Sequence, residues 1–144
     1  MVHALKQIQG LLGGNGRLID IHPIGEPAPI HVRLDKERHL VGWVQETSDY
    51  IKYGQADDAL SEAAQRGWFS QEQRQLITFS TYAQDLAALR EHLHENWKEA
   101  WIEELVAMQI ESMLNSITQD KEIIVQEKIW MSRYRPIFAR PSLS

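Results

Sequence analysis

Three polar side chains around the end of the first predicted strand are the best candidates for chemistry in this sequence. Asp20 and His22 lie two residues apart in a short apolar run, and Glu26 follows in the next loop. Side chains two apart in a strand point to the same face, so Asp20 and His22 can orient one substrate group or exchange a proton near neutral pH. The structural alternative is that Asp20 accepts backbone hydrogen bonds while His22 packs against the loop. We expect these three residues to bind a substrate, and no catalytic residue is identified.

Aromatic residues offer a second candidate site. Trp43, Tyr50 and Tyr53 are close together in the sequence and can line an apolar pocket. Aromatic side chains of this size are also common core material. Both interpretations stay open, and the first of them implies a small apolar ligand.

The histidines do not predict a metal site. The chain has six, and His92 and His94 lie two apart within a predicted helix. They therefore point to different sides, unlike a ligand pair four residues apart on one helical face. The chain contains no cysteine, which excludes disulfides, thiolate zinc sites and a cysteine nucleophile. We expect no bound metal.

Composition restricts the class of protein. A chain of 144 residues with 43% hydrophobic residues is large enough for one domain, spanning 1–144, with its own core. The net charge of −5 argues against nucleic-acid binding, which needs clustered cations. The basic residues near the C-terminus, Lys128, Arg133, Arg135 and Arg140, form either a small phosphate-binding patch or the solvated face of a strand. No apolar run approaches the length of a membrane span, so we expect a cytoplasmic protein.

Hydrophobic spacing predicts alternating helices and strands in the first half of the chain. A helix ends at Gly13 and Gly14, and a strand buried on both faces follows up to His22. A proline-rich loop then leads into a hairpin inserted at 30–46, at the edge of the main fold. A helix with a stripe of small residues runs from Ala56 to Gly67, with Asp57 and Asp58 in its first turn.

The second half continues in the same way. The segment from Glu72 to Tyr82 predicts a strand. A helical pattern from Asp85 to Ile117 is too long for one helix, so a break is predicted near Glu95 and Asn96. The final segment, Glu122 to Tyr134, predicts a central strand covered on both faces.

The opening segment resembles part of a known family. Residues Ala4 to Pro23, ALKQIQGLLGGNGRLIDIHP, are similar to the second half of class I S-adenosylmethionine-dependent methyltransferases, where a glycine-closed loop joins a helix to the fifth sheet strand. The later elements follow in a suitable order. The resemblance implies an α/β fold: a partial Rossmann-like sheet of the last three strands, the final two antiparallel, with flanking helices. In this family the final strand lies between the fifth and sixth.

The same resemblance implies that the cofactor-binding half is missing from this chain. The family binds S-adenosylmethionine mainly through a glycine-rich loop after the first strand of its N-terminal half. Here the glycine cluster at 13–16 follows a helix and precedes a strand, which is the wrong order for a cofactor loop. We therefore expect no cofactor for the chain alone, and S-adenosylmethionine only if another segment or subunit supplies the site.

These observations lead to two principal hypotheses of function. The first is a non-catalytic methyltransferase-like remnant or interaction module, which self-associates or binds a partner protein through the edge strand and helix that the missing half would cover. The second is a component of a methyltransferase whose cofactor site comes from an upstream segment or another subunit. In neither case is the chain expected to be an active enzyme alone.

Overall fold

The computed structural model describes residues 1–47 and 49–138, without the side chains of Asp49 and Tyr50. Over these residues the chain is a mixed α/β protein. The helices are α1 (Val2–Leu12), α2 (Asp49–Gln65), α3 (Leu86–Asn96) and α4 (Glu104–Leu114). The strands are β1 (Leu18–Pro23), β2 (Pro29–Leu34), β3 (Glu37–Trp43), β4 (Gln45–Glu46), β5 (Phe69–Ala83), β6 (Ala100–Trp101) and β7 (Lys121–Pro136). Among the described helices, none has both the length and the apolar character that crossing a membrane would require.

Most predicted elements are present, and the largest error concerns α2. This helix begins at Asp49, not near Ala56, so Asp57 lies in its middle and the predicted first-turn position is wrong. The polar residues and Gly54 before position 56 hid the true start, because they break the apolar spacing that marks a helix. The predicted break in the later helical pattern is confirmed, since α3 ends at Asn96 and α4 begins at Glu104.

The backbone divides into two compact units. The first comprises Met1–Gly25, Ile51–Ile77 and Ile129–Ser144, and the second comprises Glu26–Tyr50 and Thr78–Lys128. Strands β5 and β7 therefore contribute residues to both units.

In the first unit, β1 pairs antiparallel with the C-terminal half of β7, with Leu18 opposite Tyr134 and His22 opposite Trp130. Helices α1 and α2 cover one face of these strands. The core there consists of Leu5, Ala59, Leu60, Ala63, Phe69 and Tyr134, with Ile8, Leu12, Leu18 and Trp68 packed against it. Gln9 of α1 is buried and donates its amide to the carbonyls of Trp68 and Ile137, which ties the helix to the β5 entry.

The other face of β1 is open, which contradicts the prediction of a strand buried on both faces. Ile19 is 53% exposed and Ile21 is 58% exposed. The apolar run suggested burial on both sides, but the helices of this unit cover only the face that carries Leu18 and His22. Exposed apolar surface of this kind is typical of an interaction site.

In the second unit, β2 and β3 form the predicted hairpin. Its turn is at Asp35, which has a φ of 55°, and β2 pairs on its other side with the N-terminal half of β7. Ile123, Ile124 and Val125 of β7 are all buried, so the prediction of a doubly covered strand is confirmed there. It is wrong further along, where Met131 is exposed on the open face of the first unit.

Helices α3 and α4 supply the rest of the second core. Its buried residues include Ile30, Val32, Val41, Leu86, Leu89, Leu93 and Ile110. Asp85 caps α3, accepting a hydrogen bond of 2.8 Å from the backbone nitrogen of Ala88. Lys121 donates from Nζ to the carbonyls of Leu114 and Ser116, and so satisfies acceptors at the end of α4.

Candidate functional site

The structure places Asp20 and His22 side by side on the covered face of β1. Their two-residue spacing predicts this arrangement, because alternate side chains of a strand share a face. His22 is buried, and its Nδ1 lies 2.5 Å from Oδ2 of Asp20. Their role in substrate binding stays a prediction.

A third residue, Asp57 of α2, completes this group. Nε2 of His22 lies 3.0 Å from Oδ1 of Asp57, which also accepts a hydrogen bond of 3.2 Å from Arg74. The Arg74 guanidinium in turn stacks over the ring of Trp130, 3.9 Å from its centroid. Sequence spacing gave no signal for Asp57, because it is 35 positions from His22 and joins it only through the packing of α2 on the strands. We call Asp20, His22 and Asp57 the histidine cluster.

Both ring nitrogens of His22 in the histidine cluster are occupied by contacts within the chain. Each ring nitrogen of His22 faces a carboxylate oxygen, and a carboxylate can only accept a hydrogen bond. While both of these contacts are kept, neither ring nitrogen is free to contact a substrate. The arrangement joins β1 to α2, and it lacks the free nitrogen of a general base.

Tyr134 lies close to the histidine cluster and has a perturbed acidity. Burial raises its pKa, and the hydrogen bond with Ser132 and the nearby Arg74 oppose that rise. The phenol therefore stays protonated at neutral pH, and its hydroxyl donates to Oε1 of Gln71 at 3.4 Å. This contact is structural, because it ties β7 to the start of β5.

Glu26, the third predicted substrate-binding residue, is exposed at a bend after β1 and belongs to the second unit. The histidine cluster is built without it. Its role in substrate binding stays a prediction.

The residues of the predicted aromatic pocket fall on separate elements. Trp43 is exposed at the end of β3, in the second unit, and Tyr53 is half-buried on α2, in the first. The side chain of Tyr50 lies outside the described residues. A pocket formed by these three stays a prediction.

The open face of the first unit carries a shallow cleft of about 160 Å³. Its walls come from neighbouring strands and are lined by Ile19, Gln73, Gln75, Met131, Ser132 and Arg133. The floor is mostly apolar, and the only charged group on it, Arg133, is 3.3 Å from Glu72. Of the other basic residues near the C-terminus, Lys128 and Arg135 are exposed on β7 and Arg140 lies outside the described residues.

A second titratable pair, which sequence reasoning did not identify, lies in the second unit. Glu127 of β7 and His92 of α3 line a small void with Leu89, Leu93 and Trp97. Burial raises the pKa of Glu127 above its ordinary value of 4.5, and the charge of His92 partly offsets this. Over residues 1–47 and 49–138, no three histidine, aspartate or glutamate side chains are grouped so that they would hold a metal ion.

Substituting Glu127 tests this environment. A raised pKa means that the folded state binds the proton more tightly than the unfolded state, so the contribution to stability is full below pH 4.5 and is lost as pH rises through the raised pKa. Glu127→Gln should therefore gain stability over the parent protein as pH increases towards neutrality. Thermal unfolding across this range measures it, with Glu91→Gln, an exposed position on α3, as the control. If the stability difference between Glu127→Gln and the parent protein did not change with pH, the raised pKa of Glu127 would be contradicted.

Comparison of the chain with protein-family models, with curated protein sequences and with solved structures finds no match. Function is therefore inferred from the geometry of the sites themselves.

Proposed function

We propose that this chain is a non-catalytic, methyltransferase-like interaction module that self-associates through β1, with α1 contributing beside it. One observation carries the proposal. In the part of the chain that the structure describes, β1 has β7 as its only strand neighbour, while Ile19 and Ile21 are more than half exposed. A strand with a free edge and a bare apolar face is a template for pairing with another chain.

The chemistry of β1 strengthens this assignment. Its exposed face carries isoleucines and no charge, and its one acidic residue, Asp20, points to the covered face and contacts His22. Natural sheets usually protect a free edge with charged side chains or bulges. β1 has neither on its open face, so it is suited to being covered. Leu11 of α1, which is 86% exposed, adds apolar surface in the same unit.

Strand β3 is also an edge strand of this sheet, and its features differ from those of β1. Glu37 and Arg38 place charge along it, and the β2–β3 register shifts at Ile30 and His31. β1 has no register shift against β7, and its one acidic side chain, Asp20, lies on the covered face. Of these two strands, β1 is therefore the one to which we assign the self-association surface.

The histidine cluster supports a non-catalytic role. His22 is the only histidine next to the predicted substrate-binding Asp20 on β1, and both of its ring nitrogens face carboxylates. The contact of His22 with Asp57 holds β1 against α2.

A component of an S-adenosylmethionine-dependent methyltransferase is the second candidate. It is favoured by the strand order, because β7 pairs antiparallel with β1 and also pairs with β5, the order expected from the family resemblance. Calorimetric titration of the chain with S-adenosylmethionine distinguishes the two. Measurable heat of binding would favour the methyltransferase component, and its absence alongside self-association would favour the interaction module.

Charging the open face of β1 tests the proposal. Ile21→Lys should weaken self-association at least about tenfold, since it places an ammonium group in an apolar contact. Leu40→Lys on β3, at a position 49% exposed, is the matched control and should leave association unchanged. Sedimentation velocity over a concentration series measures both. A parent protein that stays monomeric throughout, or equal effects of the two substitutions, would contradict the assignment to β1.

A further inference from the structure

We infer that the small void beside Glu127 is a binding site for one water molecule, which connects Glu127 of β7 to His92 of α3 and Thr81 of β5. All the residues that line this void belong to the second unit. The site is therefore separate from β1, the strand proposed for self-association, which belongs to the first unit.

The void has the size of a single water molecule and a partly polar lining. Its volume is about 10 Å³, close to the roughly 10–15 Å³ that one buried water needs. Three elements each contribute one polar side chain to the lining: Thr81, His92 and Glu127. A buried water typically makes about three hydrogen bonds, whereas a cavity with only apolar walls stays dry. The number of polar groups here matches the number that one water binds.

The carboxyl group of Glu127 gives the strongest reason for a water. It is half-buried, and in the described part of the chain it has no direct hydrogen bond or ion pair with a protein group. Burial raises the pKa of Glu127, and only the charge of His92 opposes that rise. A half-buried carboxyl group without a protein partner is usually hydrated, since leaving it unsatisfied costs free energy.

His92 is the natural second partner of this water. Among the described residues that line the void, Glu127 and His92 are the only titratable ones, and they form no ion pair with each other. A bridging water joins two polar groups that lie too far apart for a direct hydrogen bond.

The hydrogen bonds of His92 leave one of its ring nitrogens for the void. The side-chain amide nitrogen of Asn96 lies 3.0 Å from the backbone carbonyl oxygen of His92, a contact that needs an N–H donor. The same nitrogen lies 3.3 Å from Nδ1 of His92, so Nδ1 accepts a hydrogen bond and carries no proton. In the neutral ring the proton is therefore on Nε2, which remains as a donor to water.

One water satisfies these groups together. It accepts a hydrogen bond from Nε2 of His92 and donates one to the carboxylate of Glu127, while the hydroxyl of Thr81 donates or accepts. The three side chains come from α3, β7 and β5. The bound water thus ties the helix to both strands through polar contacts inside the second unit.

Cross-relaxation NMR between water and the threonine methyl groups of the whole chain tests the site directly. A water held in the void should give the Thr81 methyl group a cross-peak of the same sign as contacts within the protein, because it stays longer than surface water. Thr78, which is exposed on the same strand, is the matched control and should show the opposite sign, that of rapidly exchanging water. The same sign at both threonines, whichever it is, would overturn the bound water.

Alanine substitution of His92 tests the connection to Glu127. Loss of the imidazole removes both the donor to the water and the charge that opposes the effect of burial, so the pKa of Glu127 should rise further. His94→Ala, at an exposed position on the same helix, should leave it unchanged. Carbon NMR of the Glu127 carboxyl group over a pH series measures both variants. An unchanged pKa of Glu127 in His92→Ala, or equal rises in the two variants, would overturn the connection between His92 and Glu127.

Discussion

Replacing Phe69 with alanine should lower the free energy of unfolding by about 3–5 kcal/mol. Phe69 is 2% exposed at the start of β5, and its ring meets that of Tyr134 edge-to-face, with centroids 6.4 Å apart. Among the described residues it is the largest side chain with about 2% or less of its surface exposed, and it belongs to the core of the first unit. Its removal would leave a cavity between α1, α2 and the strands that these helices cover.

Phe79 of the same strand is the matched control. It is 56% exposed, so Phe79→Ala should cost less than about 1 kcal/mol. Chemical denaturation followed by tryptophan fluorescence measures both variants. Equal losses at the two positions would show that the packing around Phe69 is not the source of the stability of the first unit.

Gly16→Ala has the second large expected effect. A Cβ at this position would lie 2.4 Å from the carbonyl oxygen of Leu12 and 2.8 Å from its Cβ. Since the nearest atom is backbone, the turn between α1 and β1 would have to move, at an expected cost of roughly 2 kcal/mol. The same shift would displace the start of β1 and weaken self-association.

Gly14→Ala provides the comparison, because a Cβ there meets no atom within 4 Å. It should be neutral or slightly stabilising, through a less flexible unfolded chain. Thermal unfolding and sedimentation of both variants measure the stability and the association. If Gly16→Ala behaved like Gly14→Ala in both, the tight turn would not position β1.

Local patterns predicted the elements that depend on local spacing. The helix ending before Gly13, the β2–β3 hairpin and the break after Asn96 all carry signals in neighbouring residues. The open face of β1 could not be predicted in this way. Ile19 and Ile21 were predicted to be buried, but both are exposed. An apolar run does not reveal whether one layer or two layers of structure will cover a strand.

The candidate site also has a part that local sequence predicts and a part that it does not. The pairing of Asp20 with His22 follows from strand alternation, and the structure shows their contact. Asp57 and Arg74 reach them only through tertiary packing, and the environment of Glu127 depends on α3 lying over β7. Such contacts between distant positions leave no mark in one sequence.

We propose above that the outer edge of β1 is the self-association surface. Amide hydrogen exchange of the whole chain, measured at low and high protein concentration, tests it most directly, because pairing protects the outward-facing amides of a strand. We expect alternate amides of Leu18–Ile21 to become more protected at high concentration, while the amides of β3 do not change. Exchange of the β1 amides at the same rate at all concentrations would contradict the claim.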